Sequence, residues 1–123
     1  MRAWQIQDGF GLDKLTLAER PDPQPGPGEV LLEMRAASLN YRDLMIVEGT
    51  YNPKQPLPLI PCSDGVGEVV AVGDGVSRVA VGDRVATLFF QSWIEGEVDI
   101  AKLRSTLGGP YAVSYTHLTL PTN

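Results

Sequence analysis

Hydrophobic and polar positions alternate most clearly between Val30 and Ala37. Val30, Leu32, Met34 and Ala36 fall on one side of the chain, Leu31, Glu33 and Arg35 on the other. That is the period of two of a half-buried strand, so Val30, Leu32 and Met34 are expected in the core. Gly65 to Val72 is the next strongest strand pattern, closed by the turn Gly73-Asp74-Gly75. Met1 to Gln7 and Leu15 to Glu19 read as two shorter strands around Asp8-Gly9-Phe10-Gly11. Gly82-Asp83 turns the chain into a further expected strand, Arg84 to about Phe89. Helical spacing is scarce. Asn40 to Val47 permits a short helix, with Leu44 and Val47 three apart. Asp99 to Leu107 permits another, with Asp99 as a cap residue and Ile100, Leu103 and Leu107 in one stripe. Gly108-Gly109-Pro110 stops it. Prolines at every second position from Pro21 to Pro27 remove backbone donors and make an extended connection; the prolines from Pro53 to Pro61 make that stretch irregular.

Composition strengthens the β-rich picture. Thirteen glycines and ten prolines in 123 residues favour frequent turns and short helices. Hydrophobic residues make up 43% and charged residues 20%, a globular balance for one small domain. A net charge of -5 without a Lys/Arg cluster argues against nucleic acid and anionic membrane as partners. No apolar run approaches the roughly 20 residues that span a bilayer. The opening M-R-A-W-Q-I-Q-D-G-F lacks the apolar stretch of a signal peptide. The single cysteine, Cys62, leaves no internal disulfide and fits a reducing cytoplasm. Gly108 to Asn123 carry no Asp, Glu, Lys or Arg. At that break, residues 111–123 are expected to be a non-native or disordered tail; a native β-prone strand is the alternative.

Three segments carry a family resemblance: P-Q-P-G-P-G-E-V-L-L-E-M-R-A-A-S-L-N-Y-R-D from Pro23 to Asp43, P-C-S-D-G-V-G-E-V-V-A-V-G from Pro61 to Gly73, and V-G-D-R-V from Val81 to Val85. In that order and spacing the chain resembles the catalytic, GroES-like domain of the medium-chain dehydrogenase/reductase superfamily, over residues 1 to 110. The resemblance implies a mostly β fold, a partly open β-barrel with short helices, with the Rossmann domain missing from this chain. Gly65 and Gly67 inside a strand pattern agree with it, since glycine there permits a bend or a close backbone approach.

What the resemblance implies about chemistry begins with metal. Zinc-dependent members place a cysteine where Asn40 stands and His-Glu where Ser63-Asp64 stand. A catalytic zinc needs three protein ligands, and Asn40 and Ser63 are poor ones. A zinc-independent protein is therefore expected, and a site from Cys62, Asp64 and a ligand elsewhere is the alternative. The family's cofactor is NADPH or NADH. Gly26-Pro27-Gly28, Gly65-Val66-Gly67 and Gly73-Asp74-Gly75 each lack the third glycine and do not lie between strand and helix. They read as turns, so this chain alone is expected to bind no nucleotide.

Asn40-Tyr41-Arg42-Asp43 resembles the zinc-independent, quinone-oxidoreductase-like branch. The resemblance implies catalytic parts for Asn40, Tyr41, Asp43 and Asp64, and substrate contacts from Tyr51 and Phe89. Without zinc a substrate carbonyl is polarised by hydrogen-bond donors, which the Asn40 amide and the Tyr41 phenol offer. A structural part is open for each: Asn40 as a helix cap, Tyr41 as core packing, Asp43 as partner of Arg42 or Arg84, Asp64 as a turn residue orienting nothing. Phe90, Trp93 and Ile94 are candidates for a surface facing the missing domain. The implied function is an NAD(P)H-dependent oxidoreductase acting on a carbonyl, quinone or activated alkene, homo-oligomeric when intact. A drifted zinc-type alcohol dehydrogenase and a non-catalytic GroES-like binding module are the alternatives.

Overall fold

A computed structural model of the chain describes residues 1–109 and, for backbone only, His117–Thr119. Two antiparallel sheets carry the fold. The first pairs β1 (Arg2–Ile6) with β2 (Leu15–Glu19), joined through a short 3₁₀ turn at Leu12–Lys14. The second has the order β5-β4-β3-β6, with β3 at Glu29–Ser38, β4 at Asp64–Val72, β5 at Arg84–Ala86 and β6 at His117–Thr119. Two short helices, α1 (Tyr41–Val47) and α2 (Ile100–Arg104), complete the elements. Among the described residues the sheets stay open and do not close into a barrel. β6 pairs with Glu29–Leu31 at the edge of β3. The expectation of a tail over 111–123 otherwise lies outside the described residues.

Two apolar clusters form the core. Ile6, Ile46, Val47 and Leu59 make the first, where β1 meets α1 and the proline-rich stretch. Ile6 and Leu59 exchange both backbone hydrogen bonds at 2.9 Å, which pins that irregular segment to β1. Val30, Leu32 and Val69 make the second, between β3 and β4, with Val85 and Leu107 packed against it.

Val30 and Leu32 are buried as expected, but Met34 is 48% exposed. Met34 shares the face of Leu32, but that face opens there onto a cleft that both residues line. The β3–β4 ladder runs in regular register from Leu32 to Met34, with shifts only between Leu31 and Leu32 and between Met34 and Ala36. Met34 lies over the bare faces of Gly65 and Gly67. At Gly67 a Cβ would sit 3.0 Å from the Glu33 carbonyl oxygen, the close backbone approach that a glycine in a strand permits.

The expected strand Arg84–Phe89 stops at Ala86 and the expected helix Asp99–Leu107 stops at Arg104. One rearrangement explains both. Residues 105–107 run back along 89–91: Leu107 N donates to Phe89 O at 2.9 Å and Gln91 N to Ser105 O at 3.1 Å. Asp99 does cap α2, accepting from Lys102 N at 2.8 Å. The expected stripe splits, with Ile100 and Leu103 exposed and Leu107 against the second core cluster.

Candidate active site

Asn40 ends the connection from β3 and occupies the N-cap of α1, with extended backbone angles. Asn40 and Asp43 form a capping box there. In it the Asn40 backbone N–H donates to Asp43 Oδ2 at 2.9 Å. The Asn40 amide also reaches outward: Nδ2 donates to Asp64 Oδ2 at 2.9 Å, linking the start of α1 to the start of β4. The Asp43 carboxylate thus closes the first turn of α1 on the Asn40 backbone, while the Asn40 amide nitrogen is turned to Asp64.

Asp43 is buried, with Oδ1 lacking a hydrogen-bond partner. It forms no ion pair with Arg42 or Arg84 among the described residues. Asp64 also accepts from Ser63 Oγ at 3.4 Å. Thr87 steadies the same corner, accepting from Gly65 N at 3.1 Å and donating to Ser63 O at 3.4 Å.

Asp64 faces a cleft of about 290 Å³ lined from β1, β3 and β4. Trp4, Leu32, Met34 and Leu107 make apolar walls, and Asp64 and Thr87 are its polar groups. Cys62 lines it too, on a left-handed backbone with φ 83°. Burial first, then the negative charges of Asp43 and Asp64, push its thiol above the usual range. A thiol, not a thiolate, therefore stands there near neutral pH.

Of the site residues singled out in the sequence only Asp64 lines the cleft; Asn40 reaches it through Asp64, and Asp43, Tyr41, Tyr51 and Phe89 lie outside its lining. Tyr41 is 75% exposed. Tyr51 and Phe89 do not line the cleft but flank Arg42. The guanidinium carbon of Arg42 lies 5.2 Å from the Tyr51 ring centroid and 4.7 Å from that of Phe89. Phe89 stacks edge-on to Phe90, and Phe90 tilts against Trp93. Phe90 and Trp93 are half-buried and Ile94 is exposed. Sequence reasoning missed Arg42, Trp4 and Thr87. A cation in the first turn of a helix opposes the backbone dipole, and that was the legible signal for Arg42.

The donor set fits zinc poorly. The Asn40 amide is engaged with Asp64, Ser63 is fully buried, and Cys62 favours its neutral form. Among the described residues no three His, Cys, Asp or Glu side chains are grouped to hold a metal. Gly65 and Gly67 are covered by the Met34 side chain and neighbouring atoms of β3, and Gly73 by the Gly26 carbonyl. None of the three leads into the N-terminus of a helix, where a dinucleotide phosphate is held.

The chain matches the alcohol dehydrogenase GroES-like domain over residues 26–118. It is 43% identical over 105 residues to the human synaptic vesicle membrane protein VAT-1 homolog, covering 83% of this chain and 27% of that protein. The solved structure of an NAD-dependent alcohol dehydrogenase superposes with a TM-score of 0.76 at 33% identity, covering 98% of this chain and 37% of that one. Escherichia coli quinone oxidoreductase complexed with NADPH superposes with a TM-score of 0.64 at 29% identity, covering 71% of this chain and 26% of that one. The chain thus spans 26% to 37% of the length of these three proteins. The β-rich fold, the motif segments and these matches agree: the chain belongs to the alcohol dehydrogenase GroES-like domain family, within the medium-chain dehydrogenase/reductase superfamily.

Proposed function

We propose that this domain is the substrate side of a pyridine-nucleotide-dependent, zinc-independent oxidoreductase that reduces a carbonyl, a quinone or an activated alkene in the cytoplasm. The observation that carries the proposal is the 2.9 Å bond from Asn40 Nδ2 to Asp64 Oδ2 beside the apolar cleft. It occupies one N–H of the amide and leaves the second for a substrate oxygen. Asp64, which lines the cleft, fixes which end of the amide is its donor, and Asp43 fixes the backbone beneath it. As an acceptor is reduced, negative charge grows on its oxygen, and a donor held ready for that charge lowers the barrier. The Tyr51 phenol, half-exposed on the turn after α1, is a second donor. The apolar walls suit a cyclic or aromatic body. A nicotinamide supplies the hydride when bound; the NAD-dependent alcohol dehydrogenase and the quinone oxidoreductase complexed with NADPH support that choice. No described residue is assigned to it.

The test is kinetic, in the full-length protein. Asn40→Ala is expected to lower kcat for a quinone or enone by about 10²-fold or more, with nucleotide affinity little changed and a chelator without effect. An unchanged kcat with stability preserved would reduce Asn40 to a helix cap. Loss of activity to a chelator, restored by zinc, would move the protein to the zinc-type branch.

A further inference from the structure

Arg42 carries a full charge with no carboxylate partner among the described residues. Tyr51 and Phe89 both lie against it, with the guanidinium carbon over each ring, 5.2 and 4.7 Å from the two centroids. Both distances lie within the range of cation–π attraction. Its two terminal nitrogens both point at Leu107 O, at 3.5 and 3.4 Å, and Nε is buried without a partner. Gly109 has no Cβ, and one there would come within 3.0 Å of Nη2. With two rings against it, both terminal nitrogens on one carbonyl and Nε buried, the guanidinium is engaged by this chain's own groups.

What this side chain touches is more informative. Tyr51 lies on the turn after α1 and Phe89 just past β5. Leu107 lines the cleft and donates its N–H to Phe89 O at 2.9 Å. Arg42 sits two residues after Asn40, on the same helical turn. One side chain therefore ties the turn bearing Asn40 to both aromatic residues and to the cleft wall.

We propose that Arg42 is a positioning residue that fixes Tyr51 and Phe89 relative to Asn40 and the cleft. Its kinetic consequence rests on the oxidoreductase proposal above; the placement of the rings does not. A planar guanidinium is required, because lysine keeps the charge but has no flat faces to stack on two rings.

The placement is tested by NMR on this chain with Arg42→Lys. The Tyr51 ring signals are expected to move to those of free tyrosine while the Val30 and Val69 amide signals stay. Tyr51→Leu provides the converse and avoids any folding defect of the Arg42 variant: the Arg42 Nε–H signal is expected to lose its ring-induced shift. Unchanged signals in either experiment would overturn the proposal. In the full-length protein, Arg42→Lys is expected to lower kcat/KM for a quinone by about three- to tenfold, within the worth of a cation–π contact. That loss should be smaller when Tyr51 is already Leu, because both substitutions break the Arg42–Tyr51 contact, while the contacts with Phe89 and Leu107 O are lost only with Arg42. An equal loss in both backgrounds would overturn it. Absence of turnover in the unsubstituted protein would count against the oxidoreductase proposal, and the ring signals would still decide where Arg42 holds Tyr51.

Discussion

Cys62 stands where a left-handed backbone, a buried wall and two carboxylates meet. Burial, then Asp43, then Asp64 disfavour its thiolate and raise its pKa in the folded state. The sign of the linkage follows. A group whose folded pKa is raised contributes its stability in full below the unfolded thiol value, about 8.5, and loses it as pH climbs through the folded value. Near that pH, iodoacetamide is expected to alkylate the native chain more slowly than the urea-unfolded chain, and Asp64→Asn to speed the native reaction. Native alkylation as fast as in urea would contradict the raised thiol pKa. At this scale the pairing of Asn40 with Asp64 was legible, since residue type and motif position pointed to both. For Arg42 only its unfavourable place in the first helical turn was legible; its partners were not, because the rings come from positions 51 and 89, which no local spacing reveals.

Elements were legible where a period ran unbroken. β1 and β2 fall inside their expected ranges, and β3 and β4 differ from theirs by one residue at the ends. Met34 was misjudged because alternation gives the face of a strand but not what covers it: Met34 shares the face of Leu32, and that face opens onto the cleft. Likewise α2 ends early because residues 105–107 find backbone partners at 89–91, a long-range pairing that outweighs local helical spacing. Glycine at the turn after β4 has a checkable consequence. A Cβ on Gly73 would collide with the Gly26 carbonyl, whereas one on Gly75 meets nothing within 4 Å and faces only its φ of +79°. Gly73→Ala is expected to cost about 3 kcal/mol by overpacking, and Gly75→Ala about 1 kcal/mol by left-handed strain. Urea unfolding compares the two, and a larger loss at Gly75 would contradict the close approach of the proline-rich connection to this turn.

For the whole molecule, the fold class was legible because three motif segments in fixed order are a stronger signal than any one strand. The division of the core into two clusters was not, since it depends on how α1 and the proline-rich stretch lean on β1. In the proposed function these residues hold the substrate side of the chemistry and the nucleotide is held outside them. Hydride transfer needs the nicotinamide within about 3–3.5 Å of the acceptor carbon, and among the described residues no glycine turn leads from a strand into a helix in the pattern that cradles a dinucleotide phosphate. Titrating this 123-residue chain into NADPH and following the cofactor fluorescence tests the claim most directly. The expected result is no saturable change, with or without a quinone present. Saturable micromolar binding, or quinone-dependent oxidation of NADPH by this chain alone, would contradict it.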